Sequence, residues 1–263
     1  MIYISDATKV RHATTADALN LTGTSTFDPG LDGSEWTITM LEASFDSLWI
    51  GYLNTENGTG LVYEWDGSSE NTAIRKLVLG AGVLAGTVRD NIPYIIDIRG
   101  RLKRYSGTAF VTVGCLNTDP NISFEGSDEQ TQVNQRMVHP NGMTVTDSGR
   151  ILVLFKNTLM NGSYADDIPS GIYEYDENIG LYHKYAVTNS TNTTVKNYGD
   201  SRLVEVGALF YRRPNVSPGD DGTFLYGARY YKDATSTDYS VFFDDNLETK
   251  QKWSYRDWET HIS

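Results

Sequence analysis

The sequence predicts an all-β protein assembled from repeated four-stranded antiparallel sheets. Its 263 residues include 17 Tyr and 24 Gly, together with many Thr, Ser, Asn and Asp, and lack long runs of Ala, Leu, Glu and Lys. This composition favours short strands and tight turns over helices. A short segment also recurs along the chain, flanked each time by apolar runs of strand length. Such recurrence is typical of proteins built from stacked structural repeats.

The repeated segment is a strand that ends on an aromatic residue and is followed by a polar turn. Its copies are residues 60–67 (GLVYEWDG), 100–107 (GRLKRYSG), 171–177 (GIYEYDE) and, more loosely, 239–246 (YSVFFDDN). The terminal aromatic residues are Trp65, Tyr105, Tyr175 and Phe243. Asp or Ser followed by a small polar residue favours a hairpin turn. Each copy therefore predicts the third strand of a unit and the turn into its fourth strand.

Segments of strand length before and after each repeated segment are predicted to form the other strands of a four-stranded unit. The innermost strands are predicted at residues 36–41, 84–88, 142–146 and 203–206. Strongly apolar second strands follow at residues 47–52, 92–97, 150–155 and 208–211, and outer strands at 73–79, 109–114, 181–187 and 250–255. Continuous apolarity in the second strands indicates that both of their faces are covered.

Four strands that meander from the inside to the outside of a unit form the blade of a β-propeller. We therefore predict a β-propeller-like fold with four to five four-stranded antiparallel blades in a single domain over residues 1–255. The blades are expected at about 36–79, 84–116, 138–188 and 201–255, with a partial blade at 1–21 and a tail at 256–263. Because both ends resemble parts of blades, the sequence leaves open whether the ring is incomplete or is closed by strand exchange.

The spacing of the repeats locates the insertions where function is expected. Trp65 and Tyr105 are separated by about 40 residues, the usual length of a blade, whereas the next two intervals are longer. The additional residues in these two longer intervals are predicted to form insertions at residues 117–138, 156–170 and 212–238. Long loops carry function more often than the strands that they connect.

The best candidate for a ligand site lies in the insertion at residues 156–170. It comprises Asn161, Tyr164, Asp166 and Asp167. A tyrosine ring on a loop can stack on a sugar ring and binds at low entropic cost. The acid pairs Asp166-Asp167, Asp220-Asp221 and Asp244-Asp245 could bind calcium or serve a glycosidase, although solvated turn residues are the simpler interpretation. We predict no catalytic residue, no metal site and no cofactor.

Charge and motif content argue against several classes of protein. The formal charge of −12 predicts repulsion from nucleic acid. No apolar run approaches the length of about 18 residues that spans a membrane, and the first residues lack the pattern of a signal peptide. The single cysteine, Cys115, excludes an intrachain disulfide, and the four His have no metal-ligand spacing. We therefore expect neither nucleic acid nor a membrane as partner.

The repeat also resembles a known group of proteins. The succession of an apolar strand, residues 171–176 (GIYEYD) and a polar strand resembles propeller-like proteins of bacteriophage virions and tails and secreted bacterial propellers. The resemblance implies a non-enzymatic binding or structural module that presents its insertions to a protein or carbohydrate ligand, with a virion as one location. The oligomeric state stays open.

Two other interpretations follow from a propeller-like fold. One is a hydrolase of the lactonase or glycosidase type, which requires carboxylates that converge in the central channel. The other is an adaptor of the WD-repeat type, whose Trp-Asp signature should recur in each unit. Trp65-Asp66 is a single occurrence, which argues against the adaptor.

Overall fold

A computed structural model of the chain describes residues 2–13, 25–67, 72–116, 138–155, 159–160, 163–164, 171–186, 203–212, 223–231, 238–246 and 251–253. These residues form strands and turns, with no helix among them. Their strands make up four four-stranded antiparallel sheets, one three-stranded sheet and one two-stranded hairpin. The prediction of an all-β fold with repeated four-stranded sheets is confirmed.

The sheets follow one another along the chain and are numbered I to V. Sheet I contains β1 (Ile2–Asp6), β2 (Lys9–Ala13) and β3 (Ser25–Phe27). Sheet II contains β4 (Trp36–Ala43), β5 (Leu48–Asn54), β6 (Gly60–Trp65) and β7 (Arg75–Leu79). Sheet III contains β8 (Val83–Arg89), β9 (Ile92–Asp97), β10 (Arg101–Tyr105) and β11 (Phe110–Cys115).

The remaining strands form two further sheets and a hairpin. Sheet IV contains β12 (Met143–Val145), β13 (Ile151–Phe155), β16 (Gly171–Asp176) and β17 (Gly180–Ala186). The hairpin of β14 (Leu159–Met160) and β15 (Ser163–Tyr164) lies between β13 and β16 in sequence. Sheet V contains β18 (Leu203–Arg212), β19 (Thr223–Tyr231), β20 (Asp238–Asn246) and β21 (Gln251–Trp253).

The second strands of sheets II and IV are covered on both faces. Every residue of β5 and of β13 is buried, and β9 in sheet III is buried at all but its first residue. The outer strand β7 is instead exposed over most of its length. Continuous apolar runs therefore mark the second strands because these strands have no face toward water.

Neighbouring sheets pack face to face, with their innermost strands adjacent. β4 contacts β8, β8 contacts β12, and β12 contacts β18. Thr39 Oγ1 in β4 donates a hydrogen bond to the Val83 carbonyl oxygen in β8 at 2.7 Å. Leu209 N in β18 donates to the Asn141 carbonyl oxygen just before β12 at 2.8 Å. This order is compatible with consecutive blades of a propeller-like repeat.

Aromatic side chains fill the spaces between sheets. Between sheets I and II, Phe27 stacks on Trp65 with ring centroids 5.7 Å apart. Between sheets II and III, Trp49 packs on Tyr105 at 5.0 Å, and between sheets III and IV the rings of Tyr94 and Tyr175 lie 6.0 Å apart. The core is thus a series of layers, each shared by two sheets.

One part of the sequence prediction for sheet V is wrong. A second strand was expected at residues 208–211 and an insertion at 212–238. Instead, β18 runs through the first segment as one strand, and β19 lies inside the supposed insertion, paired with β18 and β20. A β-bulge between Val206 and Leu209 interrupts the alternation of β18, so that one strand resembles two in the sequence.

At Gly60, β6 closely approaches the connection between β7 and β8. A Cβ atom at Gly60 would lie 2.9 Å from both the Ala81 carbonyl oxygen and Gly82 Cα, and neither backbone atom can move aside freely. We expect Gly60→Ala to lower the free energy of unfolding by about 1–3 kcal/mol, measured by urea denaturation.

The matched control is Gly80→Ala, because no atom lies within 4 Å of the position that its Cβ would take. We expect the control to change the free energy of unfolding by less than about 0.5 kcal/mol. Equal stability of the two variants would contradict the prediction.

Candidate functional site

The connections of sheets II to IV leave from two opposite ends of the stack. We call one of them the turn end, and it is defined by the turns at residues 44–47, 90–91, 146–150 and 177–179. Phe45 N donates to Asn91 Oδ1 at 3.0 Å, which joins the turns of sheets II and III. Arg89 Nη1 donates to the Gly149 carbonyl oxygen at 3.4 Å and so links sheet III to the corresponding turn of sheet IV.

The opposite end, which we call the loop end, is defined by the connections at residues 55–59, 80–82 and 98–100. Gly82 N donates to the Gly58 carbonyl oxygen at 2.6 Å, and Ile98 N donates to the Gly82 carbonyl oxygen at 2.9 Å. These bonds hold the three connections together.

The long insertions leave the stack from the loop end. Leu116, after β11, donates its backbone N–H to the Gly100 carbonyl oxygen at 2.9 Å, and the chain from there to β12 includes residues 117–137. β13 also ends here, and residues 156–170 connect it to β16. Phe155 and Gly171 are cross-strand partners, so this insertion begins and ends at paired positions. β17 ends at the same place, because Ala186 pairs with Gly171.

The predicted ligand residues belong to the insertion between β13 and β16. Asn161, Asp166 and Asp167 lie outside the described residues. For Tyr164 the structure gives the backbone, which pairs with Leu159 in the hairpin of β14 and β15. Contact of these four residues with a ligand stays a prediction.

The other two acid pairs have different positions. Asp220 and Asp221 also lie outside the described residues. Asp244 and Asp245 belong to β20, where their backbones pair with Trp253 and Lys252 of β21. The expectation that this last pair lies on a loop is therefore wrong, because the ladder with β21 extends through it.

Two polar side chains shape the turns at the loop end. Asn54 Oδ1, at the end of β5, accepts the backbone N–H groups of Glu56 and Asn57, each at 2.9 Å. Asp97 Oδ1, at the end of β9, accepts those of Arg99 and Arg101, each at 3.0 Å. The same side-chain-capped turn thus recurs in sheets II and III.

Asp97 also holds two cations. Its carboxylate is fully buried, and Oδ2 lies 2.8 Å from Lys103 Nζ and 3.0 Å from Arg101 Nε. Both carboxylate oxygens are therefore occupied by hydrogen bonds and ion pairs. This arrangement fixes the connection between β9 and β10.

Removal of the Asp97 charge should destabilise the protein. In Asp97→Asn, Lys103 and Arg101 lose the buried anion that compensates them, and we expect the free energy of unfolding to fall by about 2–3 kcal/mol. Asp90→Asn is the control, because the Asp90 side chain is 86% exposed and its φ of 52° suits Asn. Urea denaturation of both variants measures the difference, and a loss as large in the control would contradict the prediction.

An acid recurs one position before the terminal aromatic residue of the third strand. In sheet II, Glu64 Oε2 lies 3.0 Å from Arg75 Nε of the outer strand. In sheet IV, Glu174 Oε2 lies 3.2 Å from Lys184 Nζ of the outer strand. The corresponding residue of sheet III is Arg104, so a base replaces the acid there. The aligned repeats show this exchange, although the ligand residues predicted from the sequence do not include Arg104.

Glu42 is a half-buried acid on an innermost strand. It pairs across β4 and β5 with Trp49, which packs against Tyr105 of sheet III. Burial raises the pKa of Glu42 from 4.5 to about 7. Among the described residues, Glu42 takes part in no ion pair. Its carboxyl group is thus close to half-protonated at neutral pH.

This shift predicts a pH-dependent stability. Because the pKa of Glu42 is higher in the folded chain than in the unfolded chain, its contribution to stability is complete at low pH and is lost as the pH rises through about 7. Glu42→Gln stays neutral, so we expect it to gain stability over the wild type between pH 5 and pH 8 by up to about 3 kcal/mol. Urea midpoints at the two pH values measure the gain. Glu56→Gln, at an exposed residue, should show no such gain, and a parallel response of both variants would disprove the prediction.

Within the described part of the chain, no group of three or more His, Cys, Asp and Glu is placed to hold a metal ion. The same residues contain no helix that is long and apolar enough to cross a membrane. The chain matches no protein-family model, no curated protein and no solved structure.

Proposed function

We propose that the chain is a non-enzymatic binding module in which stacked sheets present insertions to a protein or glycan. The observation that supports this proposal is the common origin of the longest connections of sheets III and IV. Residues 117–137, 156–170 and 187–202 all follow strands that end at the loop end. Loops that leave one end of a packed scaffold are a frequent site of recognition.

The base of the insertion at residues 156–170 is firmly held. Phe155, where it begins, is fully buried, and its ring meets Tyr173 edge to face at 5.6 Å. Tyr173 in turn packs against His183 of the outer strand at 5.1 Å. A rigid base limits the entropy that a loop loses when it binds a ligand.

The ligand contacts within this module are proposed to be Asn161, Tyr164, Asp166 and Asp167. The tyrosine ring would stack on a sugar or on an apolar side chain of a protein. A position on a bacteriophage particle, where such a module would bind a surface, is also part of the proposal. Its support is the resemblance of the repeated segment to propeller-like virion proteins.

A propeller hydrolase is the alternative proposal. Among the described acids, Asp97 and Glu174 hold cations, and Glu42 is the one with a raised pKa, as a general acid requires. The register places Glu42 on the same face of sheet II as Trp49, against sheet III. That position suits a packed interface between sheets better than a channel, which favours the binding module.

The proposal is tested by replacement of residues 156–170 with Asn-Gly. Because Phe155 and Gly171 are cross-strand partners, a two-residue turn can close β13 and β16. We expect the intact chain to bind a defined set of ligands on a glycan array and the shortened variant to lose them. Tyr164→Ala should weaken the same binding without shortening the loop.

The control is Phe45→Ser at the turn end, where the wild-type side chain is 90% exposed. It should bind the same glycans as the wild type, and urea denaturation should show that all variants fold. Unchanged binding by the shortened variant, or no binding by the intact chain, would overturn the assignment of a glycan site to this insertion.

A further inference from the structure

Sheets III and IV face each other at the turn end, away from the insertions, and we call the region bounded there by Arg89, Tyr94, Tyr175 and Glu177 the wedge. Arg89 lies in it with its Cζ atom 5.1 Å from the centroid of the Tyr94 ring. Its Nη2 donates to the Tyr94 hydroxyl at 2.9 Å and to the carboxylate of Glu177. Glu177 therefore compensates the charge of Arg89, and the wedge accommodates at least one carboxylate.

A second guanidinium group in the wedge has no such partner. Arg104 lies in β10 between its cross-strand neighbours Tyr94 in β9 and Val111 in β11. Its Nε atom is buried and has no hydrogen-bond acceptor, and among the described residues Arg104 forms no ion pair. A buried donor without an acceptor is unfavourable, and an anion bound beside Arg104 would satisfy it.

The aligned repeats show that the residues at this position of sheet III differ from those of sheet II. In sheet II the equivalent position is Glu64, and the residue opposite it on the outer strand is the cation Arg75. In sheet III both members of the pair differ, because Arg104 stands opposite Val111. Sheet III therefore has a base where sheet II has an acid on the third strand, and it has no acid opposite that base on the outer strand. Exceptions to the rules of a repeat are expected where a protein binds something.

Two exposed apolar side chains lie on β11, opposite Arg104, and on the turn that follows β16. Val111 is 45% exposed, and Ile179, in the turn between β16 and β17, is 72% exposed. That turn lies along β11, since a Cβ atom at Gly180 would be 3.9 Å from the Val113 carbonyl oxygen. Burial raises the pKa of Tyr175, and Arg104 opposes that shift, as a guanidinium facing the same ring would.

We propose that Arg104 anchors a second binding site, which takes a carboxylate carried on an apolar chain. One uncompensated positive charge matches a monoanion, whereas a phosphate dianion would leave a charge unpaired in a partly buried place. The planar guanidinium fits a carboxylate, as it does between Arg89 and Glu177. Val111 and Ile179 would cover the apolar part of the ligand. The site is independent of the insertions at the loop end.

The experiment is an NMR titration of the full-length chain with hexanoate, observing the Arg104 Nε–Hε resonance. We expect a saturable shift of that resonance, with acetate binding about tenfold more weakly because it lacks the apolar chain. Hexanol, which lacks the charge, should not move the resonance. No saturable shift with hexanoate, or an equal shift with hexanol, would overturn the proposal.

Two variants test the anchor itself. Arg104→Met should abolish saturable hexanoate binding, detected at the neighbouring backbone amides. Val111→Glu places a carboxylate opposite Arg104 and so restores an acid–base pair, with the two charges on the reverse strands from those of sheet II, and it should raise the midpoint of thermal unfolding and block hexanoate. The matched control is Val78→Glu, because Val78 is 75% exposed on the outer strand of sheet II, outside the wedge. It should leave both properties unchanged, and hexanoate binding of wild-type affinity by Arg104→Met or Val111→Glu would refute the site.

Discussion

Strands that have no face toward water impose the architecture of this chain. β5 and β13 are buried along their whole length, so the sheets that contain them require a packed neighbour on each side. Sheet II obtains its neighbours from sheets I and III, and sheet IV from sheets III and V. Stability therefore belongs to the contacts between consecutive sheets, as it does in other repeat proteins. The connections contribute less, which is why long insertions are tolerated between strands.

The close packing of consecutive sheets also determines how charged side chains between them are stabilised. An acid on a third strand is placed between sheets, where water is scarce, and it persists because the outer strand supplies a cation, as Arg75 does for Glu64. The buried charge of Asp97 is compensated by Lys103, Arg101 and two backbone N–H groups. Among the residues that the structure describes, Glu42 has no cation as a partner, and its pKa is raised instead. Arg104 has a buried Nε donor without an acceptor in the same part of the chain. At Arg104 the chain departs from its own repeat.

Much of the fold could be predicted because its signals are local. The segment GLVYEWDG contains both the strand β6 and its turn, and a continuous apolar run identifies β13 without knowledge of its neighbours. The bulge in β18 and the strand β19 could not be predicted in this way, since a bulge breaks the period on which the pattern depends. The exchange of Glu for Arg at position 104 is visible in the aligned repeats. The position of Val111 opposite it is not, because a register shift between Leu102 and Lys103 sets that pairing. The proposed ligand residues from Asn161 to Asp167 belong to an insertion for which the repeat provides no template.

The pairing of Phe155 with Gly171 has a consequence for how this chain can vary. Cross-strand partners have Cα atoms about 5 Å apart, so the sheet fixes only the two points where the intervening segment starts and stops. Segments of very different length and composition satisfy that condition equally well. The length and sequence of this segment can therefore change without a change in the two strands that it joins. For protein engineering, the same junction is a grafting position at which foreign recognition peptides could be displayed from a scaffold whose own packing does not depend on them.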